Sequence, residues 1–152
     1  MSAYVVAGAV AVLVALVGGL ATDVGPWYRN LRKPSWNPPD WLFGPAWTLI
    51  YILIVWAAGS AWYATPEAQR LWLIVIPFAA NAVLNALWSI LFFTVKRPQW
   101  ALFEVVLLWL SSVSLIPLVA GYSTLAAQLL VPYALWVTFA STLNLRIVQL
   151  NR

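Results

Sequence analysis

The chain has 152 residues, of which 64% are hydrophobic and 8% charged, and its net charge is +4. Soluble domains carry about 25% charged residues, so this composition excludes a soluble fold and predicts an integral membrane protein. Cysteine and histidine are both absent, which excludes disulfides and the commonest metal ligands; no metal site is expected, and the small charge does not support nucleic-acid binding.

Four stretches without a charged residue predict the membrane-spanning helices. Residues 1–22, 41–66 and 71–95 each fit one helix. The fourth stretch, 105–145, would be about 60 Å long as a single helix, roughly twice the hydrocarbon core. It must therefore fold back, and the Gly-Tyr-Ser-Thr sequence at 121–124 is the natural break. The sequence thus predicts one domain over residues 1–152, an all-α bundle of five transmembrane helices near 3–22, 44–64, 69–95, 98–120 and 124–149.

The first predicted helix carries a small residue at every fourth position. Such a stripe lets another helix backbone approach closely in lipid. The partner is either another helix of the same chain or a second copy in a dimer. The stripe consists of Ala3, Ala7, Ala11, Ala15 and Gly19.

Prolines and tryptophans crowd the connection at residues 25–43. Proline fixes φ and removes a backbone donor, and it pushes the preceding residue out of the helical region. The segment is therefore expected to be a stiff, non-helical connector, in which Trp36 either anchors the membrane boundary or covers an apolar pocket, with Asn37 as a hydrogen-bonding partner. The motifs expected to lie outside any regular helix are Lys33-Pro34, Asn37-Pro38-Pro39 and Gly44-Pro45.

Two amides lie one turn apart in the third predicted helix, at Asn81 and Asn85. Amides in an apolar helix are costly unless they are hydrogen-bonded. They either join one helix to another or line a cavity. Trp88 lies three residues after Asn85 and therefore shares its face.

The other predicted helices also bring aromatic rings, small residues and polar groups together on one face. An aromatic wall with a few polar groups is typical of a pocket for a flat, largely apolar ligand. Glu104 is either part of such a site or an interfacial group paired with Lys96 or Arg97. The remaining tryptophans, including Trp41, Trp56 and Trp72, are expected to anchor the membrane or pack in the core. The candidate pocket residues are Trp47, Tyr51, Trp100, Glu104, Tyr133, Trp136, Ala140 and Asn144.

Basic residues are distributed unequally between the two predicted membrane sides. Cytoplasmic loops carry an excess of lysine and arginine, so the N-terminus is predicted outside and the Pro/Trp-rich loop and C-terminus in the cytoplasm. In an outer membrane this rule would lose its meaning. Seven basic residues lie on the loop side and only Arg70 on the other: Arg29, Arg32, Lys33, Lys96, Arg97, Arg146 and Arg152.

Several motifs together resemble the TspO, or translocator protein, family of tryptophan-rich sensory proteins and peripheral benzodiazepine receptors. These are KPSWNPPDW, PAWTLIY, NALWSILFF, RPQWALFE and VPYALWVTFASTLN. The resemblance implies a five-helix bundle, usually a homodimer, with a ligand pocket under the first loop. Family ligands are protoporphyrin IX and other tetrapyrroles, cholesterol in animal members, and benzodiazepine or isoquinoline drugs.

The resemblance also assigns roles to individual residues. It implies a pocket with the Trp47 and Trp136 indoles facing each other, and these two would be required for the light-dependent breakdown of protoporphyrin credited to some bacterial members. The positions that match the family's motifs are Trp36, Trp47, Asn85, Trp88, Trp100, Glu104, Trp136, Ala140 and Asn144.

One departure bears on the ligand. Animal members carry a proposed cholesterol motif with a tyrosine after the last asparagine, whereas Asn144 is followed here by Leu145 and Arg146. Such motifs are weak evidence at best. The expected function is therefore that of a bacterial-type membrane protein, in the cell membrane or alternatively an outer membrane, which binds porphyrins in transport, buffering or stress sensing. The alternative is an enzyme that degrades protoporphyrin IX in light.

Overall fold

Five apolar helices long enough to cross a membrane make up most of the computed structural model, which describes residues 1–152. A sixth helix, α2, is a single short turn in the Pro/Trp-rich loop, so the prediction that this whole connector is non-helical is wrong at its start. No strand is present, so the predicted all-α membrane bundle is confirmed. The helices are α1 (Ala3–Ala21), α2 (Pro26–Asn30), α3 (Asp40–Ala64), α4 (Leu71–Thr94), α5 (Pro98–Ala120) and α6 (Thr124–Leu150).

The second spanning helix begins four residues earlier than predicted, and the prediction that Gly44-Pro45 lies outside a regular helix is wrong. Helix α3 begins at Asp40, and Pro45 lies inside it. Proline there frees only one carbonyl near the helix start, and the preceding glycine has no Cβ to clash with the proline ring. The next turn is regular, and the Thr48 hydroxyl donates to the Gly44 carbonyl at 2.9 Å.

Helix α4 is α-helical only in its centre, over Ile76–Ser89, and widens into π-helical turns at Leu71–Val75 and Ile90–Thr94. Such turns are rare and occur frequently at functional sites. The second of them places the adjacent rings of Phe92 and Phe93 with their centroids 4.8 Å apart. This end of α4 therefore presents two rings instead of one to its neighbours.

The centre of the bundle is formed by α6, which packs most extensively against α5 and then against α3. Leu130, Tyr133 and Val137 of α6 are fully buried there. Helix α1 is different, because Val14 is its one buried residue, and it packs at the side of α3 and α4. The turn between α5 and α6 lies at the predicted break, where the Ser123 hydroxyl accepts a hydrogen bond from Ala126 N at 3.1 Å.

The Pro/Trp-rich loop is held by a contact within the loop and by hydrogen bonds to the C-terminus. Its short helix α2 begins with proline, which is favoured at the first helical position. Lys33 Nζ donates to the Tyr28 carbonyl at 2.6 Å and lies 4.3 Å from the centre of the Tyr28 ring. The residue before Lys33 makes the second contact: the backbone of Arg32 exchanges two hydrogen bonds, of 3.0 and 2.8 Å, with the side chain of Asn151. The C-terminus therefore fixes the loop over the end of the bundle.

Candidate functional site

A cavity of about 420 Å³ lies beneath this loop, between α1, α3, α4 and α6; we call it the first cavity. Its volume falls within the range of about 300–1,000 Å³ that is typical of small-molecule sites. Helix α5 contributes no residue to it. Six of the predicted site residues line it, namely Trp47, Tyr51, Trp88, Trp136, Ala140 and Asn144.

Three indoles from three helices form the aromatic wall of the first cavity. Trp47 of α3 and Trp136 of α6 meet edge to face, with ring centroids 6.1 Å apart and planes at 87°. The Trp47 ring also stacks on Tyr51 at 5.5 Å. The Trp136 indole N–H makes no hydrogen bond with the protein. The two rings form a corner whose orientation is set by aromatic packing.

The third indole, Trp88 of α4, is held by a hydrogen-bonded link. Its Nε1–H donates to Asn144 Oδ1 at 3.1 Å, and the Asn144 amide donates in turn to the Pro98 carbonyl at 3.0 Å. This connects α4, α6 and the first turn of α5. Asn144 is 1% exposed, and its role in the site is to fix the position of the Trp88 ring.

Trp36 and Asn37 of the loop do not line the first cavity. The Trp36 ring packs on Phe139 at 5.8 Å, and Phe139 packs on Trp136 at 5.4 Å, so Trp36 lies one ring behind the wall. Asn37 Nδ2 donates to the carbonyl of Pro38 at 2.9 Å. The loop thus supports the wall from outside, and the direct contact of these residues with a ligand stays a prediction.

Asn81 and Asn85 both join helices to one another and line a cavity, which are the two roles that the sequence left open. Tyr51 donates to Asn85 at 2.9 Å, Asn85 donates to the Tyr133 hydroxyl at 3.2 Å, and Tyr133 donates to Asn81 at 2.9 Å. The Asn81 amide continues the chain to the hydroxyls of Ser111 and Ser112 on α5, at 3.1 and 3.2 Å. We call this chain the midplane network. It joins four helices, and both asparagines also line a second cavity on its far side.

The α5 candidates, Trp100 and Glu104, lie away from the first cavity. Trp100 is 68% exposed on the outer surface of the bundle, as expected for an indole at the membrane boundary. Glu104 is 6% exposed, and neither carboxylate oxygen has a hydrogen-bond partner. It does not pair with Lys96, which makes its salt bridge with Asp23. That Trp100 and Glu104 contact a ligand stays a prediction, and their position away from the first cavity does not support it.

Replacing Glu104 by methionine is expected to stabilise the fold. A buried polar group without a partner costs about 1–3 kcal/mol, and methionine fills a similar volume without that cost. The midpoint of unfolding in SDS-containing mixed micelles should rise in Glu104→Met and change little in Glu104→Gln. A loss of stability or of ligand affinity in Glu104→Met would instead show that the carboxyl group makes a necessary contact.

Charged and phenolic groups gather at the mouth of the first cavity. Tyr28 and Asp40 both line it. Burial, followed by the nearby Asp40 carboxylate, raises the pKa of Tyr28. On the rim, the Gly25 N–H donates to Asp23 at 2.9 Å, and this bond together with Lys96 lowers the pKa of Asp23.

Several residues of the wall were not among those predicted from the sequence. Leu143 and Ile147 lie three and seven residues after Ala140, so the helical spacing that identified Ala140 also indicated them. Phe92 follows Trp88 by four, but the contribution of Phe93 depends on a π-turn that no spacing rule indicates. The lower part of α1 was assigned only to helix packing, yet the lining residues there are Ala15, Gly18, Gly19 and Thr22.

Known proteins resemble this chain along most of its length. The TspO/MBR family profile matches residues 6–150. The tryptophan-rich protein TspO of Chlorobaculum tepidum is 42% identical over 125 residues, which cover 82% of this chain and 79% of that protein. Protein CrtK of Rhodobacter capsulatus is 36% identical, over 88% of this chain and 83% of its own length. The translocator protein of Sus scrofa is 38% identical, over 78% of this chain and 70% of its own.

Proposed function

This chain belongs to the TspO/MBR family, and on that premise we propose that its first cavity binds a tetrapyrrole, represented by protoporphyrin IX. Family membership and five spanning helices together support a ligand-binding or sensory role in a membrane. The identification of the ligand as a tetrapyrrole goes beyond this general role, and it rests on the chemistry of the cavity wall.

The observation that carries the proposal is the corner of indoles in a cavity that is mostly apolar. Trp47, Trp88 and Trp136 reach it from three different helices. Flat π-systems prefer offset-stacked and edge-to-face contacts, and such contacts add about 0.5–1.5 kcal/mol beyond area burial. A corner of perpendicular rings supplies both kinds of contact to a planar ligand. The chain has no histidine or cysteine to ligate a metal, so recognition would come from the macrocycle's faces and edge.

The mouth of the cavity favours one orientation of a ligand that carries carboxylates. Arg29, Arg32 and Lys33 lie in the loop above it, and Lys33 packs on Tyr28, which lines the cavity. Asp40 lines the mouth as well, and like charges repel. The carboxylates of a porphyrin would therefore lie on the Lys33 side, with the apolar edge pointing inward.

Ala140→Leu tests whether this cavity is the site. Ala140 is 8% exposed and lines the wall beside Trp136 and Asn144, so a leucine there fills ligand space. We expect protoporphyrin IX affinity, measured in the dark by quenching of tryptophan fluorescence in detergent, to fall about tenfold, equivalent to about 1.4 kcal/mol.

Ala80→Leu is the matched control, because Ala80 is exposed on the outside of α4 and the substitution is chemically the same. Its affinity should equal that of the unmodified protein. An unchanged affinity in Ala140→Leu, with the fold intact by circular dichroism, would place the ligand elsewhere.

The same wall would accept other flat aromatic molecules. We propose that benzodiazepine and isoquinoline drugs compete with the porphyrin for the first cavity, since their rings need the same stacking surface. The homodimer, the cytoplasmic position of the loop and the placement in a bacterial cell membrane stay predictions of the sequence analysis.

A further inference from the structure

A second cavity, of about 390 Å³, lies in the other half of the bundle between α1, α3 and α4. The first cavity is bounded by the later part of α1 and the early part of α3, whereas the second is bounded by residues 1–14 and 51–63. The two cavities are therefore stacked along the helices. Tyr51 is the residue that lines both of them.

The midplane network separates the two spaces. Tyr51, Asn81, Asn85 and Tyr133 all line the second cavity, and they are hydrogen-bonded to one another as described above. Asn81 and Asn85 are each 4% exposed and Tyr133 is fully buried. Because these groups from three helices hold each other in place, they form a fixed polar end to an otherwise apolar space.

The chemistry of the second cavity differs from that of the first. Its lining is almost entirely apolar and contains no charged side chain. Its one tryptophan is Trp62, against three in the first cavity, so it offers no stacking corner for a macrocycle. An elongated aliphatic body fits such walls, because burial of apolar surface is the main contribution they can make.

The polar end of the cavity has one unused donor. The Asn85 amide has two N–H groups, and it donates one hydrogen bond, to Tyr133. Its oxygen already accepts from Tyr51. A ligand that carries a hydroxyl or carbonyl oxygen at one end would satisfy the remaining N–H, whereas the midplane network holds no cationic side chain to balance a carboxylate at this end.

The entrance to the cavity faces the surrounding lipid. Val10 of α1 and Val75 of α4 both line it, and they are 42% and 43% exposed. The space thus opens sideways between two helices that pack loosely. A molecule dissolved in the bilayer could enter without passing through the first cavity.

We infer that the second cavity is a separate binding site for an uncharged, elongated lipid-soluble molecule with a single terminal hydroxyl or carbonyl. The ligand's apolar body lies along the small residues of α1, and its oxygen accepts a hydrogen bond from Asn85. The inference does not depend on which ligand occupies the first cavity.

Photolabelling with a diazirine-bearing farnesol analogue tests this site in purified protein in lipid nanodiscs. We expect saturable labelling of peptides that contain residues 3–14 and 74–82. Ala58→Phe fills the cavity from α3 and should reduce the labelling about tenfold or more. Ala140→Leu, which fills only the first cavity, and Ala80→Phe, which faces lipid, should leave it unchanged.

A matched probe without the hydroxyl group should label the site at least about fivefold less at equal concentration. Equal labelling by the two probes would overturn the proposed hydrogen bond between the ligand and Asn85. Labelling that does not saturate, or that persists in Ala58→Phe, would show contact with bulk lipid only and would overturn the site itself. If Ala58→Phe fails to elute as a folded protein, Ala82→Phe fills the same space from α4 and is judged by the same outcomes.

Discussion

Replacing Trp47 and Trp136 together by leucine is expected to lower the affinity for protoporphyrin IX about a hundredfold in the dark. Each indole supplies ring contacts worth about 0.5–1.5 kcal/mol beyond its area burial, and together with the lost apolar area this approaches about 2.7 kcal/mol, or a factor of one hundred. Each single variant should lose about tenfold. The measurement is a binding titration that follows the absorbance of the porphyrin.

The control for this double variant is Trp41→Leu with Trp72→Leu. These indoles are 70% and 68% exposed and line neither cavity, so their removal should leave affinity unchanged. Equal losses in the two double variants would mean that tryptophans act only through membrane anchoring. Retained affinity in the first double variant would exclude the first cavity as the porphyrin site.

The same proteins distinguish binding from light-dependent degradation. Trp136→Phe keeps an aromatic ring at the corner and should retain much of the dark affinity. If the protein only binds porphyrin, illumination should give no catalytic turnover in either the unmodified chain or this variant. Turnover in the unmodified chain that disappears in Trp136→Phe, with dark binding retained, would show that the protein is an enzyme.

Tyr133→Phe is expected to produce the largest loss of stability among single-atom changes. The hydroxyl is fully buried, donates to Asn81 at 2.9 Å and accepts from Asn85 at 3.2 Å. Its removal leaves two buried amide groups without this partner. Such groups cost about 1–3 kcal/mol each, and hydrogen bonds between membrane helices average about 0.6 kcal/mol, so we expect a loss of about 2 kcal/mol in the free energy of unfolding.

Tyr122→Phe is the matched control for this change. Its hydroxyl also donates a hydrogen bond, to Gln69 at 2.6 Å, but it lies in an exposed turn where water can replace the partner. Reversible unfolding in SDS-containing mixed micelles should show no measurable change there. Equal stability in Tyr133→Phe and the unmodified protein would mean that the midplane network does not hold the bundle together.

The helical spacing of α6 identified three residues that line the first cavity. Trp136, Ala140 and Asn144 recur every four residues, and α6 lies at the centre of the bundle, so one of its faces had to meet the cavity. Trp88 was also found from the sequence because it shares a helix face with Asn85, and Trp47 was found because it matches a motif of the TspO family. For these positions the residue types limited the possible environments before any packing was known.

The same reasoning did not bring Trp100 and Glu104 of α5 into the first cavity. Apart from Gln99, Glu104 and three serines, the side chains of α5 are all largely apolar, so its sequence hardly distinguishes a lipid-facing side from a buried one. In a soluble helix the contrast between apolar and charged faces fixes the rotation about the axis. In lipid that contrast is lost, because lipid tails are as apolar as the core.

The sequence by itself determined the number of spanning helices and their limits to within a few residues, because charged residues are costly in hydrocarbon and a charge-free run of sufficient length therefore crosses the membrane. It also determined the residue types available to a ligand. Only the tertiary structure decided how each helix is rotated, and hence that the small-residue stripe of α1 faces inward toward two cavities. The rotation of the helices is set by side-chain packing and by the hydrogen bonds of Asn81, Asn85 and Tyr133, which join residues far apart in the chain.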